Sequence, residues 1–126
     1  MSNEHIEIGI LSRERIEAGI TKAIFQQEQL TAQYRLDLDA AAIAEADFKN
    51  SFASERLIAR TESSFDGVKM TADIAEDIAT SNTADKRLAM LLTAAKENAT
   101  RQALLSIRMR LDALRSLGAN YRDMGV

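Results

Sequence analysis

The sequence predicts an all-α protein, and three observations carry that prediction. The 126 residues include no proline, the strongest helix breaker. Ala, Leu, Glu, Arg and Lys dominate, and all are good helix formers. Strand signals are nearly absent, with Val68 and Val126 the only valines. The length suits one domain over residues 1–126.

Residues 1–11 are expected to form an extended arm, because Ile6, Ile8 and Ile10 alternate with no partner strand evident. Ser12 is a candidate N-cap, and Glu14 and Glu17 suit the positive end of a helix dipole. A helical pattern then runs to about residue 61. Two heptad series mark its apolar face: Ile20, Gln27, Tyr34, Ala41, Phe48, Glu55, and Ala23, Leu30, Asp37, Ala44, Ser51, Ile58. Ile24, Leu38 and Phe52 widen it. Thr61 to Gly67 concentrates turn residues, so a turn is expected at about 62–67. From about 68 to 122 the sequence reads as one helix, or as two with a break at Ser81-Asn82-Thr83 that Thr83 caps. In that region Met70, Ile74, Ala75 and Ile78 are expected to face inward. So is a stripe of Leu88, Leu92, Ala95, Ala99, Ala103, Ile107, Leu111, Leu114, Gly118 and Tyr121. The outline is an elongated hairpin of long helices. A two-helix hairpin has too little interior to bury both apolar faces, so copies are expected to assemble into a homo-oligomeric bundle or ring.

Composition excludes several chemistries. The only histidine is His5 and there is no cysteine, so no histidine triad, cysteine nucleophile or zinc set can be built. The five glycines are scattered, which excludes a phosphate-cradling loop. The acidic pairs Asp37/Asp39 and Asp73/Asp77 lack the histidines of a di-metal bundle. No enzyme activity, cofactor or metal is expected. The longest apolar run, Ala40 to Ala44, is too short to span a membrane, and no secretory signal is visible. A cytoplasmic location is expected.

Charge is segregated. Residues 1–83 carry 8 Lys/Arg against 15 Asp/Glu, whereas residues 84–126 carry 8 against 4. Arg101, Arg108, Arg115 and Arg122 are spaced by seven and climb one helix face for roughly 30 Å. Arginine suits bidentate phosphate contact and stacking on bases, so this row is a candidate nucleic-acid surface. The competing reading is helix solubility and packing: Glu97 lies four before Arg101, and Asp112 lies between Arg108 and Arg115. A second basic set, Lys49, Arg56 and Arg60, shares its region with Phe48, Phe52 and Phe65. Basic residues interleaved with aromatics are what a single-strand groove uses, although Phe48 and Phe52 also fit the core stripe.

Two segments resemble a known family. Leu111-Asp112-Ala113-Leu114-Arg115-Ser116-Leu117-Gly118, followed by Arg122-Asp123-Met124, resembles the C-terminal helix of UvsY-type phage recombination mediators. Leu57-Ile58-Ala59-Arg60 before a Ser/Asp/Gly turn resembles their single-strand-binding segment, and Ala44-Glu45-Ala46-Asp47-Phe48-Lys49 resembles a segment of small helical phage proteins. The resemblance implies a ring of six or seven subunits closed through the C-terminal helices, here by Ile107, Leu111, Leu114, Leu117 and Tyr121. It also implies single-stranded DNA binding, displacement of the single-strand-binding protein, and loading of a RecA-like recombinase. Arg60 would sit at the DNA-contact motif. Where that motif has a lysine two residues earlier this chain has Ile58, and Lys49, Arg56 or Lys69 would have to compensate. The alternative is a structural or adaptor coiled-coil protein, such as a phage assembly factor.

Overall fold

The computed structural model describes residues 12–61, 64–65 and 68–123. The fold is all-α: helices α1 (Arg13–Thr61), α2 (Ala72–Asn82) and α3 (Ala84–Asp123). A two-residue ladder lies between α1 and α2, with β1 (Ser64–Phe65) antiparallel to β2 (Val68–Lys69). The expected arm over residues 1–11 and Gly67 of the expected turn lie outside the described residues.

Local chemistry explains each boundary. Ser12 Oγ accepts a hydrogen bond from the Arg15 N–H at 3.1 Å, the N-cap that frees α1 to begin at Arg13. The short helix does not begin at Val68. Val68 and Lys69 pair with β1, and Thr71 caps the helix instead, its hydroxyl accepting from the Ile74 N–H at 3.3 Å. The break before α3 is confined to Thr83, whose backbone (φ −112, ψ 14) leaves helical values for one residue. The Thr83 hydroxyl does not cap α3 forward. It donates backward to the Ala79 carbonyl at 2.7 Å, while the Thr83 carbonyl accepts from the Arg87 N–H.

Burial along α1 follows a 3.5-residue repeat. The inward residues are Ile16, Ile20, Ala23, Gln27, Leu30, Tyr34, Asp37, Ala41, Ala44, Phe48, Ser51 and Glu55, with steps of four and three in alternation. Both heptad series read from the sequence therefore turn inward, except at the end. There Ile58 is 54% exposed and the buried residue is Ala59, one position on. Ile24 and Leu38 do not widen the face: both are exposed, and only Phe52 is half-buried.

On α3 the repeat is equally strict, and it corrects the expected stripe. The inward residues are Met90, Thr93, Glu97, Thr100, Leu104, Ile107, Leu111, Leu114, Gly118 and Tyr121. Leu88, Leu92, Ala95 and Ala99 are exposed. The expected stripe advanced by four at successive steps, and each such step drifts across a 3.5-residue seam. It began on the outer face and ended on the inner one. Threonines in or beside the seam answer their own hydroxyls locally. The Thr31 hydroxyl donates to the Gln27 carbonyl, and the Thr93 hydroxyl to the Ala89 and Met90 carbonyls.

The chain divides into two compact units, residues 1–34 with 100–126, and residues 35–99. In the first unit α1 and α3 run antiparallel. A Cβ at Gly118 would lie 3.7 Å from Ile16, and one at Gly19 would lie 3.3 Å from Leu114. In the second unit the pairings are also antiparallel. Lys96 meets Asp37, Lys86 meets Asp47 and Ser51, and Asn82 meets Glu55. Its buried apolar residues, Ala59, Ala75 and Ala79, are small, and Thr83 is buried too, which permits close helix approach. Ile74, Ile78 and Met70 are half-buried beside them.

Candidate nucleic-acid interface

The arginine row lies entirely within the first unit. Arg101, Arg108, Arg115 and Arg122 each follow an inward residue of α3, namely Thr100, Ile107, Leu114 and Tyr121, so they flank the seam on one side. In an antiparallel pair that flank faces its counterpart on α1. The α1 counterparts, following Ile16, Ala23 and Leu30, are Glu17, Ile24 and Thr31. Glu17 is the one carboxylate among them; it shares a cavity with Arg115 and Arg122, and it is already bonded to Arg13 of its own helix at 3.3 Å. Arg108, Arg115 and Arg122 are exposed, and among the described residues none has a carboxylate within 4.0 Å. Asp112, the intrahelical neighbour that would have neutralised Arg108 or Arg115, bonds neither.

Two cavities open on the two flanks of this unit. On the arginine flank, Arg13, Arg115 and Arg122 surround a floor of Ile16, Ile20 and Gly118, with Glu17 at the wall and a volume of about 320 Å³. On the opposite flank a cavity of about 530 Å³ is lined by Gln26, Gln29, Leu30, Gln33, Ala103, Ser106 and Ile107. There the Gln26 Oε1 is buried and accepts no hydrogen bond from a described residue.

The second basic set lies in the other unit and is more engaged. Lys49 Nζ is 2.7 Å from Glu45 Oε1, an i,i+4 pair on the surface of α1. That bond, with the attraction of the ammonium, holds the Glu45 carboxyl below its ordinary value of 4.5. The Arg56 guanidinium lies 5.8 Å from the centre of the Phe52 ring, and Phe52 is 5.9 Å from Phe48 in a tilted pair. Both rings are half-buried, so the core reading and the surface reading each hold for part of them. Arg60 is exposed in the last turn of α1, and Lys69 is the second residue of β2. The Phe65 side chain lies outside the described residues.

Residues expected to join subunits are largely used within the protomer. Leu111 is buried at 3% exposure, Leu114 packs over Gly19, and Ile107 lines the glutamine cavity against α1. Tyr121 is half-buried, and Leu117 keeps 39% of its surface exposed. Arg13 was not singled out by the sequence pattern. The signal was available once the antiparallel register is known, because the start of α1 then meets the end of α3.

Among the described residues, no group of three His, Cys, Asp or Glu side chains converges as a metal site. None of the described helices is long and apolar enough to cross a membrane. No family model, curated protein or solved structure matches the chain.

Proposed function

We propose that the chain is a non-enzymatic single-stranded-DNA-binding protein of the phage recombination-mediator type. It acts as a cytoplasmic homo-oligomer that gathers the strand and passes it to a RecA-like recombinase. The carrying observation is the row Arg108, Arg115 and Arg122: exposed, on one flank, and without a carboxylate partner among the described residues. Unpartnered guanidiniums neutralise phosphates and release condensed counterions, which supplies affinity without reading sequence. The Arg56–Phe52–Phe48 group is a second, stacking-capable contact in the other unit. Several subunits would present these contacts at high effective concentration. Because Ile107, Leu111 and Leu114 serve the protomer, assembly draws on Leu117 and on exposed Leu105 and Met109.

One observation favours the adaptor reading instead. Leu88, Leu91 and Leu92 are each more than half exposed on the outer face of α3, as a helix-docking surface would be. The two readings separate by fluorescence anisotropy of a labelled single strand, titrated at low and moderate salt with duplex as control. Salt-sensitive, single-strand-preferring binding that weakens in Arg108→Gln supports the mediator. Flat anisotropy at micromolar protein, from a folded and assembled sample, leaves the adaptor.

A further inference from the structure

The arginine-flank cavity has a charge that selects its ligand. Three guanidiniums, Arg13, Arg115 and Arg122, share it with one carboxylate, Glu17, so its formal charge is +2. A backbone phosphodiester carries a single negative charge. A phosphomonoester carries about −1.5 to −2 at neutral pH and presents three acceptor oxygens, matching both the charge and the donors. The floor of Ile16, Ile20 and Gly118 is apolar, which suits a flat organic group beside the phosphate rather than a bare inorganic ion. The volume, about 320 Å³, is at the lower end of the range for small-molecule sites.

We propose that this cavity is a phosphomonoester site, taking a terminal phosphate with the base or sugar attached to it. Two sources share that chemistry: a free nucleoside monophosphate, and the phosphorylated end of a single strand. The second source rests on the strand-binding reading above; the first does not. Arg13 thereby acquires a binding role, joining from α1 the two arginines that α3 contributes.

The test uses the full chain and thymidine 5′-monophosphate, with thymidine and inorganic phosphate as controls, read by isothermal titration calorimetry. Saturable binding of the monophosphate is expected, with none of thymidine and weaker binding of phosphate. Arg122→Gln should weaken the monophosphate at least fivefold. Gly118→Leu should do the same by filling the floor while leaving every charge in place. Arg110→Gln, on the opposite flank of the same helix, should leave it unchanged. A second arm compares single strands bearing a 5′-phosphate or a 5′-hydroxyl. Tighter binding of the phosphorylated strand, lost in Arg122→Gln, assigns the site to strand ends. Equal binding of the two strands, with the monophosphate still bound, assigns it to the free nucleotide. No saturable monophosphate binding, or binding that Arg122→Gln and Gly118→Leu leave intact, overturns the site. Failure of the hydroxyl strand to bind at all bears on the strand-binding reading alone.

Discussion

Leu114 packs over the bare Cα of Gly19: a Cβ placed there would lie 3.3 Å from Leu114 Cδ1 and 3.4 Å from Cδ2. Gly118, one turn further along α3, meets Ile16 more loosely, at 3.7 Å. Glycine inside a helix costs roughly 0.5–1 kcal/mol relative to alanine, so both positions carry the same local penalty. Only one can recover it. Gly118→Ala adds a methyl at ordinary contact distance and should raise unfolding stability by about 0.5–1 kcal/mol. In Gly19→Ala the Leu114 tip must move, and the gain should vanish or reverse. Urea unfolding of the two variants checks this, and an equal gain from both would mean that the helices are not in close contact at Gly19.

Asp37 is an inward residue of α1 with only 3% of its surface exposed, and Lys96 Nζ lies 3.7 Å from its Oδ1 with a side chain 69% exposed. The two ends of this pair are therefore unequal. Removing the carboxylate deletes the buried end of the pair, and Asp37→Ala should cost about 1–3 kcal/mol. Removing the ammonium withdraws a group that water largely reaches, and Lys96→Ala should cost at most about 1 kcal/mol. Denaturant titration of both single variants and the double variant gives the coupling. Equal losses from the two single variants would show that Lys96, despite its exposure, supplies most of the compensation for the buried charge.

The all-α class and the inward face of α1 were legible because a 3.5-residue repeat survives even where its members are polar, as at Gln27, Asp37 and Glu55. On α3 the same repeat was hidden. Met90, Thr93, Glu97 and Thr100 turn inward, while Leu88, Leu91 and Leu92 face out, so hydrophobicity pointed to the wrong side of the helix. Reading the strict three-four alternation backward from Leu104 and Leu111 would have recovered it. The pairing at Val68 and Lys69 was illegible because two residues are too few to alternate. The arginine row was visible from its spacing. That Arg108, Arg115 and Arg122 have no carboxylate within 4.0 Å among the described residues was not, since Asp112 stands at the right separation and yet does not bond. Arg13 joined the row only through tertiary register.

Glu45 offers a pH readout that does not require a ligand. Its carboxyl accepts from Lys49 and is held below 4.5 chiefly by that hydrogen bond and secondarily by the charge of the ammonium. A depressed folded-state value means that the ionised form favours the folded chain. The contribution is fully present above the unfolded value and fades as pH falls through the folded one. Both groups are on the surface, so the effect on stability is small and salt-screened. The midpoint itself is the sensitive quantity. A carbon-detected NMR titration should place Glu45 below 4.5, and Lys49→Met should return it toward 4.5. An unchanged midpoint in that variant would remove the pair as the cause.

Under the strand-binding function proposed above, the same pair predicts how the two basic sets divide the work. Each phosphate neutralised on single-stranded DNA contributes about 0.7 to the slope of log affinity against log salt. Arg108 has no carboxylate within 4.0 Å among the described residues, so its charge is available to a phosphate without first breaking a contact. Lys49 must leave Glu45 at 2.7 Å, and the freed carboxylate then repels the incoming strand. Arg108→Gln should therefore reduce the slope by about 0.7 and weaken binding severalfold at low salt. Lys49→Gln should change both much less, and Glu45→Gln should strengthen binding, because it removes the competitor and its negative charge together. Anisotropy titrations across a salt series measure all three slopes. If Lys49→Gln lowers the slope and Arg108→Gln leaves it unchanged, the strand crosses α1 near Phe48 and Phe52, and the row on α3 is a helix-solubilising flank.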